Sequence, residues 1–260
     1  MDKKNQTIDD KILIEMEYID NAMSNSLFKI IGNIEQSEGI EEKDEKVATN
    51  ESNSSESTKK QEGAGDDKQG ESQSEETAKE ISSMSMQHKE MGENEDKIWE
   101  VIKKSTEDLC TSWSVIESDI NVKGGVNEKD LRDVNKSIDN LINDSTNKDA
   151  KMYLKDSADL YDKMKNILMT INVEKEKANV FEIKKNLYKA YFYAMNDEWS
   201  NVSDCINTAN NQINKMSNIN DKTKIVFKNL LAGIEQENKK IFYIRCSDAL
   251  NDIEYIDIKK

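Results

Sequence analysis

No proline occurs in this sequence, and glycine is scarce, with 9 residues in 260. Average usage near 5% would give about 13 prolines. An all-β fold needs both residues in its turns, so their shortage excludes that class. It suits long helices, which an internal proline would break. There is a single histidine, His88, which leaves one candidate base for nucleophile–base catalysis. The three cysteines, Cys110, Cys205 and Cys246, form no CxxC pair and no zinc-ligand spacing. Each falls inside a helical pattern and reads as a small hydrophobe, with a Cys205–Cys246 disulfide as the alternative. No apolar run approaches the roughly 18 residues of a membrane span. Lysine and arginine are not clustered and the net charge is −15. That excludes nucleic acid, whose binding needs concentrated positive charge, and disfavours an anionic membrane surface. No glycine-rich phosphate loop is present, since Gly124-Gly125 reads as a helix stop.

What the chain does have is helical periodicity. Ile12, Met16, Ile19, Met23, Leu27, Ile30 and Ile34 recur at steps of three and four, which predicts an amphipathic helix over roughly 9–35 capped near Thr7 or Asp9. Such a stripe needs a partner face. Residues 37–92 are rich in Ser, Glu and Lys and bury almost nothing, so they read as a disordered acidic linker. A coil of about 55 residues spans roughly 40 Å. Closing it costs only about 2 kcal/mol more than closing one a tenth as long, so the N-terminal helix of residues 1–36 can still pack on the helices beyond the linker. Residues 93–258 carry about six stripes, beginning with Ile98, Ile102, Leu109, Trp113, Ile116 and Ile120 and ending with one that breaks near 238. Short connections make neighbours antiparallel. The expected fold is all-α, an antiparallel bundle of stacked helical hairpins.

A weak internal repeat is expected as well. "IWEVIKKSTEDLCTSW" superposes on "EWSNVSDCINTANNQI", with Trp99 on Trp199, Ile102 on Val202, Trp113 on Ile213 and Ile116 on Met216. "YLKDSADL" likewise matches "YIRCSDAL", with Ser157 on Ser247 and Leu160 on Leu250. The pattern is tetratricopeptide-like at most, because that family's period and proline are missing.

The order "DDKILIEMEYIDNAM", an acidic Ser-rich tract, "WEVIKKSTEDLCTSW" and "AYFYAMNDEWSNVSDCI" resembles uncharacterised all-helical surface lipoproteins of low-GC Gram-positive bacteria. The resemblance implies an exported domain anchored through a lipidated cysteine upstream of residue 1, and it brings no catalytic residues. The opening "MDKKNQTIDD" has no hydrophobic signal region, so the expectation is a mature extracytoplasmic portion, with a cytoplasmic protein as the alternative.

Two sets of residues are candidates for binding. Met84, Met86, His88 and Met91 place three thioethers and the sole imidazole within eight residues. Soft copper(I) favours that ligand set, and neutral ligands suit a singly charged ion. The competing reading is a helix core, since Ile81, Met84, His88, Met91 and Ile98 share one stripe continuing to Ile102. "YKAYFY" sets Tyr188, Tyr191, Phe192 and Tyr193 around a helix, so it is buried on two sides or offers a partner surface. Trp99, Trp113 and Trp199 are core by their spacing, with a ligand groove as the alternative. The acidic tract lacks the ligand spacing of a calcium loop, and no carboxylate pair stands out for hydrolysis. The expected function is therefore non-catalytic: a helical binding or scaffold domain for an unknown protein partner, with copper(I) capture as the alternative and no required cofactor. A copper(I) competition titration tests the latter. The Met84/Met86/Met91→Leu variant loses affinity if the cluster is a site, and unchanged affinity rules it out.

Overall fold

Without proline, the helices are delimited by side-chain caps and left-handed residues. The computed structural model describes residues 7–37, 95–171, 175–217 and 219–254. Helix α1 spans Ile8–Ser37. At its start the Thr7 hydroxyl accepts from the Asp10 amide at 3.1 Å while Asp10 accepts from the Thr7 amide at 3.2 Å, a reciprocal box that satisfies two otherwise orphaned donors. Helix α2 (Glu95–Lys123) stops where Gly124 and Gly125 take φ of +74° and +97°, a region that disfavours side chains. Asn127 then caps α3 (Glu128–Asn147), accepting from the Asp130 amide at 2.9 Å. Lys148 turns left-handed, and Asp149 caps α4 (Ala150–Thr170) through the Met152 amide. After α5 (Lys175–Met195), Asp197 breaks the path with φ 59° before α6 (Trp199–Lys215). Asn220 caps α7 (Asp221–Ile234) and Asn238 caps α8 (Lys239–Glu254).

The fold is all-α, and the described residues contain no strand. The C-terminal region expected to hold about six helices holds seven among the described residues, because the break near 238 separates α7 from α8. The reason is local: Glu237 sits at φ 47°, and the Asn238 side chain caps the new helix rather than continuing the old one.

Each helix packs on the next in sequence, and two further contacts close the series into rings. Helix α4 touches α1, closing α1–α2–α3–α4, and α8 returns to α5, closing α5–α6–α7–α8. The extensive α4–α5 contact fuses the rings, and α1 also touches α8. One continuous core runs through both, from Ile12, Met16 and Ile19 through Trp113, Leu141 and Tyr161 to Leu187, Phe227 and Leu250. Of the positions matched by the internal echo, Ile102, Val202, Trp113, Ile213, Ile116, Met216, Leu160 and Leu250 are all buried. The match does not extend along the whole elements, since α2 has 29 residues and α6 has 17.

Candidate functional site

A buried polar cluster lies where α1 crosses α4 and α5. In α1, Asp20 follows Ile19 on the inward face, within the stripe of Met16, Ile19, Met23 and Leu27. In α5, Lys184 occupies the inward face between Ile183 and Leu187 and is 1% exposed. Its ammonium donates to both carboxylate oxygens of Asp20, at 2.8 and 2.7 Å, and reaches the Ser24 hydroxyl at 3.4 Å. From α4 the Tyr161 hydroxyl donates to the same carboxylate at 2.6 Å. Burial raises the Tyr161 phenol well above its ordinary range, and the negative charge of Asp20 and the neighbouring Tyr188 add to this. The phenol is thus held neutral, as a fixed donor. Phe181 and Tyr188 wall it in, with ring centroids 5.4 and 5.2 Å away.

This is a satisfied cluster. Two donors converge on one carboxylate, and the lysine stem crosses an otherwise apolar contact. Lys184 is closed off from solvent among the described residues, and the clefts on α6–α8 lie away from it. What the arrangement can do is fix the register of α1 against α4 and α5.

Next to it, Lys165 and Lys185 each bridge Asp162 of α4 and Glu182 of α5, at 3.1 and 2.6 Å for Lys165 and 3.0 and 2.6 Å for Lys185. Burial pushes both carboxyls up, but the hydrogen bonds from the two lysines outweigh it and both titrate below their ordinary values. At the far end of α3, Asp144 behaves oppositely. Its Oδ2 has no hydrogen-bond partner among the described residues. Burial first, then the charges of Asp156 and Asp149, raise its carboxyl from 3.8 to about 6.

The residues singled out in the sequence divide into three groups. Met84, Met86, His88 and Met91 lie outside the described residues, as does the acidic tract from residue 38 onward. Tyr188 and Tyr191 are core residues, 0% and 1% exposed, and do not form a partner surface. The reason is that α5 is central. Tyr188 faces Tyr161 of α4, whereas Tyr191 packs on Phe242 and Tyr243 of α8 and bonds to the Ser247 hydroxyl at 2.9 Å. Phe192 and Tyr193 pack edge-to-face on each other and stay partly exposed. Trp99 and Trp113 are buried, and Trp113 donates to Asn135 at 2.6 Å. Trp199 edges a cleft of about 620 Å³, shared with Ser203 and Asn207 of α6 and Lys228 and Leu231 of α7. Cys205 and Cys246 are free thiols; burial lifts Cys205 to about 11 and pushes Cys246 up further. Among the described residues no group of three or more His, Cys, Asp or Glu side chains could hold a metal. Comparison with protein-family models, with curated proteins and with solved structures returns no match.

Two predictions come from these clusters. Asp20→Ala strands a buried ammonium and should cost about 3–5 kcal/mol in urea melts, whereas Asp20→Leu/Lys184→Met, which removes both charges, should lie within about 2 kcal/mol of wild type or exceed it. Equal losses in the two would show that the charges are not coupled. For Asp144 the folded carboxyl at about 6 stands above the unfolded 3.8, so its contribution is complete below the lower value and lost as pH rises through the upper one. Asp144→Asn should therefore stabilise by about 1 kcal/mol at pH 7, discounted for solvent screening, and by almost nothing near pH 3.5. Melts at the two pH values check the sign.

Proposed function

We propose that this chain is a non-catalytic helical binding or scaffold domain of the extracytoplasmic lipoprotein type, whose partner is a protein. The observation that supports it most is the set of exposed apolar side chains near one end of the α1–α2 pair. Asp9 pairs with Lys123, which pins the start of α1 beside the end of α2. At 1.5 Å rise per residue, Tyr18 and Val115 then fall at about the same height along the pair, roughly 12–14 Å from the pinned end, with Ile14 and Val122 nearer to it. All four are exposed, Val122 by 73%. Within α2, Val101, Val115 and Val122 keep a seven-residue register, which sets them along one line of the helix. Exposed apolar side chains that gather into a patch are a feature of surfaces that meet another protein.

The net charge of −15 keeps such a surface soluble and sets it against nucleic acid. No helix among the described residues is long and apolar enough to cross a membrane. Membrane attachment in this reading comes from a lipid anchor, as the resemblance of the sequence implies. The two rings of four helices support the further reading of the chain as two related halves. A second function, copper(I) capture by Met84, Met86, His88 and Met91, rests on the density of soft ligands in that stretch of sequence.

Site-specific photo-crosslinking in the native host tests the main reading. A crosslinker at Tyr18 or Val115 should give one discrete protein adduct, and a crosslinker at the exposed polar Lys129 should not. Tyr18→Lys combined with Val122→Lys should abolish the adduct while shifting stability by less than about 0.5 kcal/mol. Adducts that are absent, or the same at all three positions, contradict it.

A further inference from the structure

Helix α1 joins the bundle through an unusually long connection. The Asp9–Lys123 pair makes α1 antiparallel to α2, so Ser37 lies toward the end where α2 begins at Glu95. Antiparallel neighbours need roughly 2–8 residues between them. Residues 38–94 stand in that place, while every other pair of consecutive helices is joined by only a few residues. The contact itself is large and nearly dry. Ile12, Met16, Ile19, Met23 and Leu27 are all at most 2% exposed, on a groove lined by α2, α4 and α8 with Lys184 of α5 at its floor.

We propose that α1 is an exchangeable helix, and that two copies of this chain dock each other's α1, with Asp20 of each meeting Lys184 of its partner. A second copy is the occupant that fits, because it brings the same five apolar side chains and a carboxylate at the same position between them. Docking in trans repeats every contact made in cis, so only the connection decides between them. A short loop would hold α1 in place at a very high effective concentration; a connection of this length lowers it to the order of millimolar. Copies crowded toward that concentration exchange α1. Lys184 makes the groove selective, since a helix without the carboxylate leaves the buried ammonium without the countercharge of Asp20. The inference stands on the geometry of α1 and does not depend on which protein the bundle binds.

Two full-length variants test it, Asp20→Lys and Lys184→Asp. Each alone sets like charges against each other in cis. In an equimolar mixture, α1 of the Lys184→Asp chain carries Asp20 and meets Lys184 of the other chain, and the reciprocal contact is the same pair with its signs exchanged. The expected result is a one-to-one dimer by light scattering, melting several degrees above either variant alone. A mixture of folded variants that stays monomeric overturns the proposal. A reversed charge can by itself stop a chain folding, and in that event the wild type decides. A fluorescent peptide of residues 8–37 should bind full-length wild type with half-saturation near millimolar. Its Asp20→Lys version should bind about a hundredfold more weakly or worse. No uptake of the first peptide, or equal uptake of both, overturns the proposal.

Discussion

The ammonium of Lys184, enclosed beneath α1 and answered by Asp20, is the constraint on which the placement of the N-terminal helix depends. Apolar burial drives α1 onto the bundle but is non-directional. A stripe of Ile and Met repeating every three or four residues would gain nearly as much one turn further along. The ion pair removes that freedom. Sliding α1 by a turn would carry Asp20 about 5 Å from the ammonium and leave both charges buried apart. A buried pair of this kind adds little net stability over a well-packed apolar substitute, because desolvating two ions offsets most of their attraction. Its effect is on which arrangement forms. The Tyr161 phenol and Ser24 hydroxyl complete the set, so the carboxylate and the ammonium each keep several partners inside the core.

The remainder of the fold places its polar groups with the same economy. Thr7, Asn127, Asp149, Asn220 and Asn238 each cap a helix that no proline starts, and left-handed Lys148, Asp197 and Glu237 turn the chain between helices. The two lysines and two acids joining α4 to α5 reinforce the seam between the rings where it reaches the surface. Asp144 is the counterexample, a carboxyl kept near other acids and partly out of water.

Most of the architecture was legible because a three-to-four-residue apolar period is a direct projection of one helix face. The stripe from Ile12 to Ile30 is buried along its length, and the break near 238 is where α8 begins. "YKAYFY" had two readings, and the central position of α5 decides for Tyr188 and Tyr191: both faces of that helix are covered. The Asp20–Lys184 pair was not found, although it left a trace. Both residues occupy positions where the stripe calls for an apolar side chain, between Ile19 and Met23 and between Ile183 and Leu187. An acid and a base, each in phase with a hydrophobic face on a different helix, is the signature of a buried pair. In a chain that is 34% charged, only a search by helical phase would single them out. No sequence rule could bring together residues so far apart without knowing which faces meet.

Competitive acylation of the lysines in native full-length protein, read residue by residue by mass spectrometry, tests the central claim most directly. With Lys184 enclosed beneath a docked α1, it should react about a hundredfold more slowly than the exposed Lys103 and Lys104, its rate being set by the rare opening of the contact. Modification of Lys184 at the same rate as those two would mean that α1 does not cover it and that the ion pair does not hold the helix in place.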